Sequence, residues 1–195
     1  DRVARHPEPI MTKTTFQGHL DDLRTIVEPA LRSALRHTDW PDSLRTAVEY
    51  SLMAGGKRLR PVLVLLANEV CGGPAEAAIP AAVAIEMIHT YSLIHDDLPS
   101  MDDDDFRRGR PTSHEVFGEA LAVLAGDCLL TCAFETVAST PLSSGQIAEL
   151  IRILASAAGG SGMVGGQVLD LEAERGSFVR AENSALHSEM TANAS

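Results

Sequence analysis

From Phe16 to about His37 the apolar residues Leu20, Leu23, Ile26, Val27, Leu31 and Leu35 recur at spacings of three and four, which marks one buried helical face with Pro29 placed to kink it. Pro41-Asp42 restarts the chain into a second helix that Gly55-Gly56 ends after about Met53, and Arg60-Pro61 opens a strongly apolar third helix through Val70. After the loop Gly72-Gly73-Pro74, residues 75–97 form the most apolar segment and read as a central helix, whose Ala81, Ala82 and Ala84 let neighbouring helices approach closely. Thr112-Ser113-His114-Glu115 has capping-box spacing ahead of a helix from about Val116 to Ser139. Ser143 with Gln146 repeats the device ahead of a helix reaching Ala158. Gly159, Gly160 and Gly162 break the chain before a last helix from Met163 to Glu174, and the remainder has weak periodicity. The pattern predicts an all-α fold: residues 1–15 as a disordered extension, 16–175 as one helical core, and 176–195 as an irregular or frayed tail.

Composition agrees with helices. The chain of 195 residues is 45% hydrophobic and only 4% aromatic, with Ala, Leu, Val and Ile dominant rather than β-branched residues in alternation. Charge narrows the function: 27 acidic against 16 basic residues give −11, which repels nucleic acid and anionic lipid over most of the surface. A polyanionic substrate then needs a bound cation or a local cluster of Arg and Lys. Cys71, Cys128 and Cys132 are odd in number and form no CxxC pair, so neither a disulfide framework nor a zinc site is expected, and a reducing cytoplasm fits. No uninterrupted apolar run reaches the roughly eighteen residues of a membrane span, and no signal-peptide core opens the chain. A cytoplasmic protein that does not span a membrane is the expectation.

The candidate chemistry sits after the central helix. The segment from Asp96 to Asp105 holds six carboxylates in ten residues, and Pro99 ends the helix near Asp97, at its negative dipole end. That is the wrong end of a helix for carboxylates unless hard divalent cations sit there. The competing reading is a solvated acidic loop. Arg107, Arg108 and Arg110 follow at once, and arginine grips phosphate oxygens bidentately, so the two clusters together suggest a metal-bridged diphosphate; a surface ion-pair network is the alternative. A second basic cluster, Gly55-Gly56-Lys57-Arg58-Leu59-Arg60-Pro61, lies at a helix start where free backbone N–H groups favour anions. Taken alone it reads as an ordinary basic turn, and it lacks the spaced glycines and the Ser or Thr of a P-loop.

Together GGKRLRP, IHTYSLIHDDLPSMDDDDFRRGRPTSHEVFGEALAVLAGDCLL and GMVGGQVLDL resemble the trans-isoprenyl diphosphate synthases in order and approximate spacing, over roughly Leu20 to Glu174. The resemblance implies a bundle of long, mostly antiparallel helices around a deep cavity, usually dimeric. It implies condensation of an allylic diphosphate, geranyl or dimethylallyl, with isopentenyl diphosphate to give farnesyl diphosphate, and Mg²⁺ as cofactor with Mn²⁺ as its substitute. Carried over by position, Asp96 and Asp102 are metal ligands with Asp97 as helper, and Arg107 holds the allylic diphosphate. Lys57, Arg60, His89 and Arg108 hold isopentenyl diphosphate. Without the resemblance His89 reads as a core or capping histidine. Gln167 and Asp170 match polar positions of the family's cavity wall, with plain helix surface as the other reading. The four residues between Asp97 and Asp102 resemble the bacterial farnesyl and plant-type geranylgeranyl classes. Tyr91, five residues before Asp96, matches the aromatic that closes the cavity floor in farnesyl enzymes.

The resemblance stops short at the end. Family members carry a second aspartate-rich motif like DDILD, and no such motif follows Asp170; in LHSEMTANAS, Met190 stands where the family has a lysine and only Thr191 agrees. A truncated synthase whose C-terminal helices are missing is expected, since Asp96, Asp102, Arg107 and Arg108 are all intact. The alternative is a non-catalytic synthase-like subunit that binds diphosphate and modulates a partner synthase. A terpene cyclase shares a first aspartate motif but binds one diphosphate, whereas two basic clusters argue for two.

Overall fold

In the computed structural model, residues 13–36 and 39–174 are described. The chain divides into two compact units, Asp1–Ile147 and Ala148–Ser195. Within the first lie α1 (Lys13–Ala34), α2 (Asp42–Leu52), α3 (Leu59–Val70), α4 (Ala75–Asp96), the short strands β1 (Phe106–Arg107) and β2 (Arg110–Pro111), α5 (Ser113–Phe117) and α6 (Glu119–Ala138). The boundary between the units falls inside α7 (Ser144–Ala158), and residues 163–174 of the second unit are again helical.

Four of the six residues of the repeat form a buried face, Leu23, Val27, Leu31 and Leu35 at no more than 3% exposed, whereas Leu20 is half-buried and Ile26 is 36% exposed, off that face. The helix begins at Lys13, before the expected Phe16, and Pro29 lies inside it. Expectations for residues 1–12 and for the tail from 175 onward, Met190 and Thr191 included, lie outside the described residues.

The core of the first unit is the packing of α4 on α6, more extensive than that of any other pair of elements. Small residues permit it: Ala82 and Ala84 on α4 and Ala122, Ala125, Gly126 and Ala133 on α6 are buried. A Cβ on Gly126 would overlap the His95 ring and oblige it to turn aside. Leu31, Leu52, Leu65, Met87 and Leu129 are fully enclosed, each contributing about 1.5–3 kcal/mol of burial.

Two expectations change. The segment from Thr112 to Ser139 is not one helix behind a capping box: Thr112 makes no side-chain cap bond, and Gly118, at φ 82°, separates α5 from α6. Only glycine takes that conformation without strain. The box at Ser143 does form, with the Ser143 N–H donating to Gln146 Oε1 at 3.1 Å and the Gln146 N–H to Ser143 Oγ at 3.4 Å. Second, Ala75–Asp96, Glu119–Ala138 and the run Ser144–Glu174 are long and apolar enough to cross a membrane by length and composition. Counting unbroken apolar runs missed them, because a span tolerates a few polar residues. The apolar window of α4 is 56% buried inside the protein and that of α6 39%, which gives their composition a core role.

Candidate functional site

Three segments of the first unit meet around one cation-rich pocket. The first is the turn from α2 into α3. Gly55 and Gly56 have φ of 79° and 131°, and a side chain on Gly56 would overlap the Arg108 guanidinium. Arg58, at φ 47°, takes the left-handed conformation at the cap of α3, with its side chain 3% exposed. Its guanidinium donates to Glu28 of α1 at 2.7 Å, to Glu86 of α4 at 2.9 Å and to the Leu52 carbonyl of α2 at 2.9 Å. Burial works against the Arg58 charge, but hydrogen bonds and charge from Glu28 and Glu86 outweigh it and raise the guanidinium above its ordinary value. From α1, Arg24 donates to the Lys57 carbonyl at 3.0 Å.

The second segment is a hairpin that the sequence did not announce. Phe106 pairs with Pro111 and Arg107 with Arg110. Arg108 and Gly109 between them have φ of 54° and 76°, the positive pair of a two-residue type I′ turn. Tyr50 of α2 fastens the hairpin: its hydroxyl donates to the Pro111 carbonyl at 2.8 Å, and the Arg110 guanidinium lies 4.4 Å from its ring centroid. At the turn, Arg108 donates to the Gly55 carbonyl and so joins hairpin to basic loop.

The third is α4, which contributes Glu86 and His89. Lys57, Arg60, His89 and Arg108, the four residues expected on one substrate, all line this pocket together with Gly56, Arg58 and Glu86. Burial first, then the charges of Arg60, Arg108 and Arg107, hold His89 below the ordinary histidine value, with Glu86 opposing them. A neutral imidazole among exposed cations is a wall built to receive an anion.

Beside it lies a smaller apolar cleft under the hairpin, lined in part by Tyr50, Leu93, Ile94, Asp97, Arg107 and Ser113. Asp97 caps the end of α4 with its carboxylate 5% exposed and accepts from Arg107 Nε at 2.7 Å and Nη2 at 2.6 Å. Burial pushes the Asp97 carboxyl up while Arg107 pulls it down, and the net direction is upward. The Arg107 guanidinium is raised by its bond to Asp97. Asp97 thus fixes how Arg107 points.

The acidic loop is held mainly by its own backbone. The Asp102 N–H donates to the Asp96 carbonyl at 2.8 Å, Asp104 to that of Asp97 at 3.2 Å, and Thr112 to that of Asp105 at 3.0 Å. These bonds fold Asp102 back onto the end of α4. Asp103 takes φ 55° to make the bend. Asp102 through Asp105 are exposed and Asp96 is half-buried. Carboxylate oxygens are the donors that a hard cation such as Mg²⁺ prefers.

A further group was missed. Asp105, His114 and Glu115 bring one ligand atom each within 4.8 Å of the others. His114 is buried, with Nδ1 3.2 Å from the Thr112 hydroxyl and Nε2 3.5 Å from Glu115. The capping-box spacing had assigned Thr112 and Glu115 to each other. Tyr91 is 7% exposed in the core, edge-on to His95 at 5.6 Å between ring centroids. Burial, then the charge of Asp96, raises its hydroxyl pKa. Gln167 and Asp170 lie in the helical run of the second unit.

Residues 41–194 match the family model described as Polyprenyl synthetase. The chain is 51% identical over 176 residues to the farnesyl diphosphate synthase of Bacillus subtilis (strain 168), covering 89% of this chain and 60% of that protein. It is 52% identical over 170 residues to geranylgeranyl pyrophosphate synthase 7, chloroplastic, of Arabidopsis thaliana, covering 87% of this chain and 49% of that protein. Among solved structures, a geranyltransferase from Legionella pneumophila superposes with TM-score 0.79 at 40% identity, over 81% of this chain and 57% of that one. The chain therefore spans about half to three-fifths of the length of these relatives.

Proposed function

The chain belongs to the polyprenyl synthetase family, and on that premise we propose that it is the substrate-binding part of a trans-prenyltransferase that joins geranyl or dimethylallyl diphosphate to isopentenyl diphosphate, giving farnesyl diphosphate. The convergence of Lys57, Arg60, His89 and Arg108 on one pocket from three segments carries this reading. These residues would bind the diphosphate of isopentenyl diphosphate: Lys57 and Arg60 as exposed cations, Arg108 from the hairpin turn, and neutral His89 as a hydrogen-bond donor that gains a proton as the anion arrives. Arg107, aimed by Asp97, would hold the allylic diphosphate.

Asp96 and Asp102 would hold Mg²⁺, or Mn²⁺ in its place, with Asp97 helping through Arg107. The chemistry supplied by an ion held there would be screening of the diphosphate charge, which would make the diphosphate a better leaving group. The double bond of isopentenyl diphosphate would then attack the allylic carbon, and the resulting cation would give up a proton to the released diphosphate, completing a five-carbon extension. We assign Tyr91 to the floor that limits product length, in keeping with its burial one helical turn before His95. Gln167 would line the cavity wall. We further propose residues 16–175 as one synthase core followed by a tail, working as a cytoplasmic homodimer that neither spans a membrane nor binds nucleic acid; core packing supports the membrane reading for α4 and α6, while the window in Ser144–Glu174 is 6% buried and lends it no support.

The test is incubation of the purified chain with Mg²⁺, isopentenyl diphosphate and geranyl diphosphate, with products identified by mass spectrometry against an Asp96→Ala control. Mg²⁺-dependent binding of geranyl diphosphate that Asp96→Ala loses is the expected result; farnesyl diphosphate as product would show a working catalytic site in this chain, and binding without product a half-site. No product together with no Mg²⁺-dependent binding of geranyl diphosphate would overturn the reading.

A further inference from the structure

Arg58 is the one cation of the basic loop whose charge is spent inside the protein. Its side chain is 3% exposed, against the exposed Lys57 and Arg60 on either side of it. A buried arginine in a positive-φ residue at a helix cap is a strained and desolvated arrangement, and such arrangements persist where the surroundings over-determine them. Here three elements do so, through Glu28 on α1, the Leu52 carbonyl at the end of α2, and Glu86 on α4.

We propose that Arg58 is a positioning residue for the anion pocket, orienting Lys57 and Arg60 and cancelling the Glu86 carboxylate that would otherwise repel a diphosphate from the same wall. The proposal rests on reading that pocket as the isopentenyl diphosphate subsite. Two features of the geometry carry it. The guanidinium fork reaches acceptors on three separate helices, so it fixes the start of α3 against all of them at once, and the Arg58 carbonyl accepts the first helical N–H, that of Val62, at 3.2 Å. Lys57 and Arg60 leave the backbone on either side of that fixed point. Glu86 lines the pocket one turn before His89, 5% exposed, and its Oε1 is bound by Arg58. Loss of Arg58 would leave a bare buried carboxylate facing the substrate anion. A lysine would restore the charge but not the three-way fork.

The experiment compares two ligands on the same chain by calorimetry: isopentenyl diphosphate in EDTA, and geranyl diphosphate with Mg²⁺. Arg58→Lys is expected to weaken isopentenyl diphosphate about tenfold, the scale of one displaced charge-assisted contact, and to change geranyl diphosphate binding less than about twofold. Because removal of one buried charge can unfold the chain, Arg58→Met combined with Glu86→Gln serves as the second variant; it removes both charges and is expected to retain the fold but lose the same tenfold. Equal weakening of both ligands would reduce Arg58 to a structural residue and overturn the proposal, as would wild-type affinity for isopentenyl diphosphate in either variant. The underlying reading fails separately, and the proposal with it, if the unaltered chain binds no isopentenyl diphosphate or if Lys57→Ala and Arg60→Ala leave its binding intact.

Discussion

The basic segment 55–60 and the acidic segment 97–105 are both tied to the same hairpin, the first through Arg108 on the Gly55 carbonyl and the second through Arg107 on Asp97. They are held by different means. In the basic segment a buried guanidinium, two positive-φ glycines and a bond from Arg24 to the Lys57 carbonyl fix the backbone against α1, α2 and α4. In the acidic segment backbone bonds such as Asp102 to Asp96 shape the loop, while the carboxylates of Asp102 to Asp105 stay exposed. A positive wall can be assembled from the protein's own carboxylates and carbonyls. In the acidic segment Arg107 offsets the buried Asp97 and reaches Asp104 at 3.9 Å, so a bound cation would act mainly on the exposed carboxylates.

The largest effect should come from the basic side. Arg58→Ala leaves Glu86 buried without its partner and is expected to lower stability in urea unfolding by about 3–5 kcal/mol, whereas Asp102→Ala stays within about 0.5 kcal/mol. Similar losses in both would erase the distinction. Next comes Mg²⁺: if the exposed carboxylates await a cation, Mg²⁺ at about 100 times its dissociation constant adds about 2.7 kcal/mol. Chelation should remove that gain, and Asp96→Ala and Asp102→Ala should never show it. Gly56→Ala puts a side chain at φ 131° and against Arg108, at about 1–3 kcal/mol, while Gly118→Ala, strained but with open space around its missing Cβ, should cost less of the substrate affinity; isopentenyl diphosphate titrations separate the two. The smallest effect is a pH slope. His89 is held below its ordinary value in the folded chain, so the unfolded chain binds more protons below pH of about 6.5 and stability falls as the pH drops through that point. Thermal melts of His89→Gln should show a flatter profile there, and an unchanged one would take His89 out of the cation field.

Much of this was legible beforehand because periodicity and punctuation are local. The buried face of α1, the stop at Asp97 imposed by Pro99 and the capping box at Ser143 all follow from residues within a turn or two of each other. Lys57, Arg60, His89 and Arg108 were brought together only by resemblance to a family, since nothing local says that residues 57 and 108 meet. The hairpin was missed because Arg107 to Arg110 read as a phosphate grip, and Arg-Gly is a weak signal for a type I′ turn beside Asn-Gly. Arg58 was passed over because charged turn residues are mostly solvated, and its burial depends on Glu28 and Glu86, thirty and twenty-eight residues away. The break at Gly118 was hidden by a capping-box spacing whose side chains found other partners in His114 and the Asp105 carbonyl.

His89 and Asp96 stand seven residues apart on one unbroken helix, close to two full turns and about 10.5 Å of rise. α4 is therefore a ruler between the cation-lined pocket and the start of the acidic loop, graduated by the helical repeat. One alanine inserted between Ser92 and Leu93 would lengthen the interval by only about 1.5 Å but swing Asp96 through about 100°, so the two ends would keep their distance and lose their common side.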